Sequence, residues 1–162
     1  MPLDRPRILR GALAGAVAST VWWAQQRADM RVFGVPYDDA ELLGTGVLPR
    51  APGRVSGAVG VAMHVANGAL FGALYAQVAP SVPLPPWARG PAAGLGEHLA
   101  SWPAVTLVDR FHPARDRLPT LGGSRAAFAQ ATWRHLLFGT VLGELERRLN
   151  APGPDAAANR SS

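Results

Sequence analysis

Apolar residues gather in four stretches, 8–28, 56–79, 90–108 and 125–146, divided by segments where proline, arginine and aspartate collect. Each stretch comes close to the roughly 20 residues that a helix needs to cross a bilayer. The pattern predicts an all-α chain, a bundle of four transmembrane helices. Arg5, Arg7 and Arg10 cluster at the start of the first stretch, and Trp22 and Trp23 lie toward its far end as an interfacial anchor. Basic residues before an apolar run also describe a signal peptide, with residues 16–18 as its cleavage site; here the run continues past that site, so a retained span is expected. The proline-rich segment 80–86 allows only an antiparallel return. The third stretch carries Glu97, His98 and Pro103, and such a segment inserts only where neighbours satisfy its polar groups.

Two polar connections, 29–54 and 109–124, join these spans. In the first, Asp38 is placed to cap a short interfacial helix, with Glu41 as its capping-box partner and Gly44 as its stop. Residues 1–150 read as one helical membrane domain, and the Ala/Pro/Asn/Ser-rich residues 151–162 as a disordered tail.

Each span contains a Gly-x-x-x-Gly pair: Gly11/Gly15, Gly68/Gly72, Gly90/Gly94 and Gly139/Gly143. In lipid, helices gain nothing from hiding apolar surface, so close backbone contact at small residues holds them together. The pairs also repeat in register. His64, Gly68 and Gly72 recur as His135, Gly139 and Gly143 at an offset of 71, and Gly11, Gly15 and Trp23 as Gly90, Gly94 and Trp102 at an offset of 79. Two helical hairpins in parallel repeat follow.

Intramembrane polar groups mark the candidate chemistry. His64, His98 and His135 share their helical stripes with the glycines, which turns them toward the bundle interior, and Asn67, Glu97, Ser101 and Arg134 lie beside them. Glu97 and Arg134 fall at one depth, so an ion pair between the third and fourth helices is expected. The cluster then relays protons or contacts a small solute, because imidazole titrates near neutrality. The competing reading makes it glue in a structural or interaction subunit, each contact worth about 1 kcal/mol or less. Imidazoles on facing helices also allow a haem b, a lesser alternative. Hydrolysis by Ser101, His98 and Glu97 lacks a nucleophile–base line on a single helix, so no catalytic residue and no metal is assigned. Asp109, Arg110, Phe111, His112 and Arg115–Arg117 form a charged rim at the headgroups, and no Lys-Ser/Thr follows Gly122-Gly123 as a phosphate loop requires.

Composition sharpens this picture at a few points. The 162 residues are 48% hydrophobic with a mean hydropathy of only +0.07, the average being lowered by the connections. All 16 basic residues are arginine, and the net charge of +5 sits largely beside apolar segments, where it suits lipid phosphates rather than nucleic acid. Without cysteine there is no disulfide, thiolate ligand or Cys nucleophile. Arginines outside the spans divide almost evenly between the two sides, but the cluster at the first helix favours both termini in the cytoplasm of a bacterial inner membrane. The lipid bilayer is the expected partner, with a homo-oligomer or membrane complex formed through spare glycine faces.

From His64 to Arg148 the order of features resembles the YagU-like family of bacterial inner-membrane proteins. His64, the 72–75 stretch, Pro80, Gly90, Gly94, His98, Ser101, Pro103, His135-Leu136 and Arg147-Arg148 carry the resemblance. It implies a multi-pass membrane protein loosely linked to acid tolerance, and it implies no reaction.

Overall fold

In the computed structural model residues 4–151 are described, and they are helical throughout apart from short connections. The expected tail falls, from residue 152 on, outside the described residues. The helices are α1 (Arg5–Phe33), α2 (Asp39–Val47), α3 (Gly53–Val78), α4 (Pro86–Ser101), α5 (Val105–Phe111) and α6 (Arg125–Leu149). Local chemistry sets their starts. Asp4 accepts from the Arg7 amide at 3.0 Å, Asp38 from Ala40 and Glu41 at 2.8 and 3.0 Å, and Ser124 from Ala127 at 3.2 Å, each answering donors that the first turn leaves free. Gly34, at φ 69°, ends α1 in a conformation that other residues adopt at a cost.

Several boundaries differ from the expected ones. α1 continues past Ala28 to Phe33, because Gln26 and Asp29 stay on its buried face and Asp29 finds partners there in Gln130 and Arg134. Gly44 does not stop α2. It sits where a Cβ would run into the Ser56 carbonyl, so it lets α2 lie directly on α3, and the helix ends only at Val47. The third apolar stretch is not one helix: Pro103 supplies no amide, and Trp102–Ala104 form a 3-10 turn between α4 and α5. Asn150 remains ordered as the C-cap of α6.

Packing follows the glycines. Gly11 and Gly15 lie on the backbone of Gly72 and Gly68, and Gly90 and Gly94 on that of Gly139, Gly143 and His135. α1 therefore crosses α3, and α4 crosses α6, both antiparallel and with main chains in contact. Every one of the eight glycines is used within the chain, which leaves none of them as a spare face for pairing between chains. α1 also packs on α6 through larger groups, and Ala14, Ala18, Trp22, Tyr75, Phe138 and Leu142 form the main core. α3 and α4 scarcely meet, so the bundle is closed on the α1/α6 side and open on the α3/α4 side.

On α3 the large apolar residues lie outside and the small or polar ones inside. Leu70, Leu74 and Val78 are each 60% exposed on α3, while Ser56, Gly60, His64, Gly68 and Gly72 form its buried stripe. Among the described residues one helix, continued by the following turn to Ser81, is long and apolar enough to cross a membrane, and only 22% of its most apolar window is buried.

Candidate functional site

Where α3 and α4 diverge, a cavity of about 210 Å³ opens beneath α2. His64 and Asn67 come from α3, Glu97 and Ser101 from α4, and His135 from α6; Ser19, Trp22, Tyr37 and Asp39 complete the polar part of the wall. Helical spacing brings these groups together. His64 lies one turn from Gly68 and His135 one turn from Gly139, so the contacts that bring the backbones close also aim both imidazoles across the bundle.

Glu97 and His135 meet at 2.6 Å, Oε2 to Nε2. The other ring nitrogen of His135, Nδ1, is 2.7 Å from the Ala131 carbonyl, an acceptor only, so Nδ1 carries a proton. A single proton then lies between Nε2 and Oε2, on the imidazole or on the carboxyl, and the pair is neutral overall in either arrangement. Glu97 keeps more than a third of its side chain exposed, whereas His135 is mostly covered.

The three imidazoles are linked through aromatic rings. His98 stacks on His135 with centroids 4.9 Å apart, Trp22 meets His135 edge-on at 4.7 Å, and the same indole meets His64 at 5.1 Å. His98 is fully buried behind the cavity wall. Its Nε2 lies 3.0 Å from Thr132 Oγ1, whose own proton goes to the Phe128 carbonyl at 2.8 Å; Nε2 therefore donates, and Nδ1 is left as a buried acceptor without a partner. His64 Nε2 is likewise buried and unpartnered among the described residues. Asn67 and Ser101 stand exposed on the rim, and Ser101 bonds to the His98 carbonyl at 3.3 Å rather than to an imidazole.

Arg134 is not paired with Glu97. It is wholly buried and donates to Asp29 through Nε (2.8 Å) and Nη2 (2.6 Å), to Asp39 through Nη1 (2.7 Å) and to the Tyr37 carbonyl at 2.9 Å. Adjacent residues on a helix point about 100° apart, so α6 can present His135 to α4 and Arg134 to α1 and α2 but not both to Glu97. Gln25 and Gln130 donate to Asp29, and Trp22 Nε1 donates to Asp39 at 2.9 Å. Burial, and the Asp39 carboxylate beside it, hold the Tyr37 phenol well above its usual range.

Compared with protein-family models, curated proteins and solved structures, the chain matches none. Function therefore rests on the geometry. That geometry does not fit a haem: both nitrogens of His135 are engaged, and its ring with that of Trp22 fills the space between the free nitrogens of His64 and His98. No group of three or more metal-binding side chains occurs among the described residues.

Trp22, Asp29, Asp39, Gln130 and Thr132 were not among the sequence candidates. One signal could have found the first two, since Gly11, Gly15, Ser19, Trp22, Gln26 and Asp29 recur every three or four residues, continuing the α1 stripe beyond the apolar run.

Proposed function

We propose that this chain is a four-span membrane protein that handles protons at the Glu97–His135 pair. α1, α3, α4 with α5, and α6 are the spans. The inverted surface supports embedding, with leucine and valine outward and glycine, serine and histidine inward. Outward hydroxyls agree, since Thr20 and Thr140 return their protons to the carbonyls of Ala16 and Leu136 on their own helices, as lipid requires. The observation that carries the function is the 2.6 Å contact between His135 Nε2 and Glu97 Oε2 at the wall of a cavity, a separation that calls for a proton between an imidazole and a carboxylate. A bacterial inner-membrane location with both termini cytoplasmic belongs to the same reading, as does kinship with the YagU-like family, which His64, His98 and His135 carry.

The full chain reconstituted into vesicles with a pH-sensitive dye inside tests this. A proton leak above that of empty vesicles is expected, reduced at least tenfold in Glu97→Gln and in His135→Gln. An undiminished leak in Glu97→Gln refutes the assignment. A structural role is the second reading, and it is favoured for Arg134 alone, whose donors are committed to Asp29, Asp39 and Tyr37.

A further inference from the structure

At the opposite end of the open α3/α4 side, a cleft of about 320 Å³ lies between the start of α1, the start of α4 and the end of α6. Its charged groups are Arg7, Arg89, Arg147 and Glu146. Glu146 is already answered, since it accepts from Arg7 and, at 3.0 Å, from Asn150. Arg147 shares Glu144 with Arg148 outside the cleft. Arg89 faces no carboxylate within bonding distance among the described residues. Its Nε donates to the Leu84 carbonyl at 2.9 Å, which fixes the guanidinium and leaves both Nη groups free. The Tyr75 hydroxyl borders the same cleft and has no hydrogen-bond partner among the described residues.

The cleft continues into a second space. An apolar groove of about 380 Å³ runs between α3 and α4, lined chiefly by Phe71, Leu74, Val78 and Ala92, and it shares Tyr75, Ala79 and Arg89 with the cleft. Each volume lies within the range of ligand sites, roughly 300–1,000 Å³. A cationic head compartment joined through three common residues to an apolar channel has the two-part form of an amphiphile. Arg5, Arg10 and Arg148 stand at the same end of the bundle, where the proposed membrane reading sets the headgroups.

We propose that this composite site holds an anionic phospholipid drawn from the bilayer, its phosphate on Arg89 and the Tyr75 hydroxyl and an acyl chain in the α3/α4 groove. The proposal rests on the membrane reading but not on proton handling. An arginine near an anionic headgroup contributes enough to favour phosphatidylglycerol over phosphatidylcholine about fivefold.

Native mass spectrometry of the detergent-purified full chain with either lipid reads this preference. Wild type and Arg89→Lys should retain it and Arg89→Gln should lose it, while Ala92→Trp, which fills the groove, should lower adducts of both lipids. An unchanged preference in Arg89→Gln, or unchanged adducts in Ala92→Trp, overturns the site. Displacement of phosphatidylglycerol by excess inorganic phosphate overturns it in favour of a free-anion site. Alkaline carbonate extraction separates the two layers of inference: chain that stays with the membrane but shows no lipid preference refutes the site alone, and chain released to the aqueous fraction refutes the membrane reading and the site with it.

Discussion

Replacing Arg134 with glutamine removes the cation from a cage built by three other segments of the chain. Asp29 belongs to the last turns of α1, Tyr37 to the loop after it and Asp39 to the first turn of α2, so four hydrogen bonds from one side chain tie α6 to all of them. Breaking a buried ion pair from one side costs about 3–5 kcal/mol, because the remaining charge stays out of water. Here the remaining carboxylates keep some donors. Asp29 retains Gln25 at 2.6 Å and Gln130 at 2.7 Å, and Asp39 retains Trp22. That compensation puts the loss at the lower end, about 3 kcal/mol. Asp29→Asn should cost a similar amount by stranding the guanidinium against Asp39 alone. The double variant Arg134→Gln/Asp29→Asn carries neither buried charge of that pair, and its loss should fall short of the summed single losses by at least 1 kcal/mol. Unfolding of the three variants by denaturing detergent, followed by circular dichroism, gives the cycle. Single losses that add within about 0.5 kcal/mol would refute the clasp.

Two further outcomes test the packing and the surface. Gly68→Leu places a side chain against Ser19 Oγ and the Gly15 carbonyl and should destabilise the bundle by about 1–3 kcal/mol or more, whereas Gly57→Leu, whose Cβ meets nothing within 4 Å, should stay within about 0.5 kcal/mol of wild type; equal losses in the same unfolding assay would rule out the glycine contact as the cause. Single-tryptophan variants in bilayers of brominated lipid should show Trp87 (78% exposed) and Trp133 (46%) quenched and Trp22 (7%) protected; equal quenching of Trp22 would contradict its burial, and unquenched Trp87 and Trp133 would contradict the embedding of the bundle.

Helix positions were legible because their causes are local. Glycines four apart mark main-chain contact, and Asp38 announces α2 by its capping chemistry. Partner choice was not legible. Matching Glu97 with Arg134 by depth ignores the rotation between neighbouring positions on α6, which gives Glu97 to His135. Asp29 and Asp39 both fall in the polar connection 29–54, Asp39 in its short interfacial helix, yet the chain from Gly34 to Asp39 folds back over the first turns of α6 and both carboxylates are held against one arginine. Nor does the order of residues say which of two antiparallel pairings stays open, since that depends on side chains far apart in the chain.

The offsets of the sequence repeat give a physical reason for the opening on the α3/α4 side. Shifting α1 by 79 and α6 by 71 sets the α1/α6 contact in correspondence with α4/α3. At one end the Arg7–Glu146 bond corresponds to Pro86 and Tyr75, and toward the other the Asp29–Arg134 pair corresponds to Val108 and Met63. Neither corresponding pair can form a charged bond. Between these ends Trp22, which fills the space between His64 and His135, corresponds to Ser101, and Phe138 corresponds to Asn67. Two bulky aromatic groups on the closed side are thus replaced by two small polar ones on the open side. With nothing to clamp its ends and too little volume to fill its middle, the α3/α4 seam parts, and the Glu97–His135 pair is left at the wall of the resulting cavity.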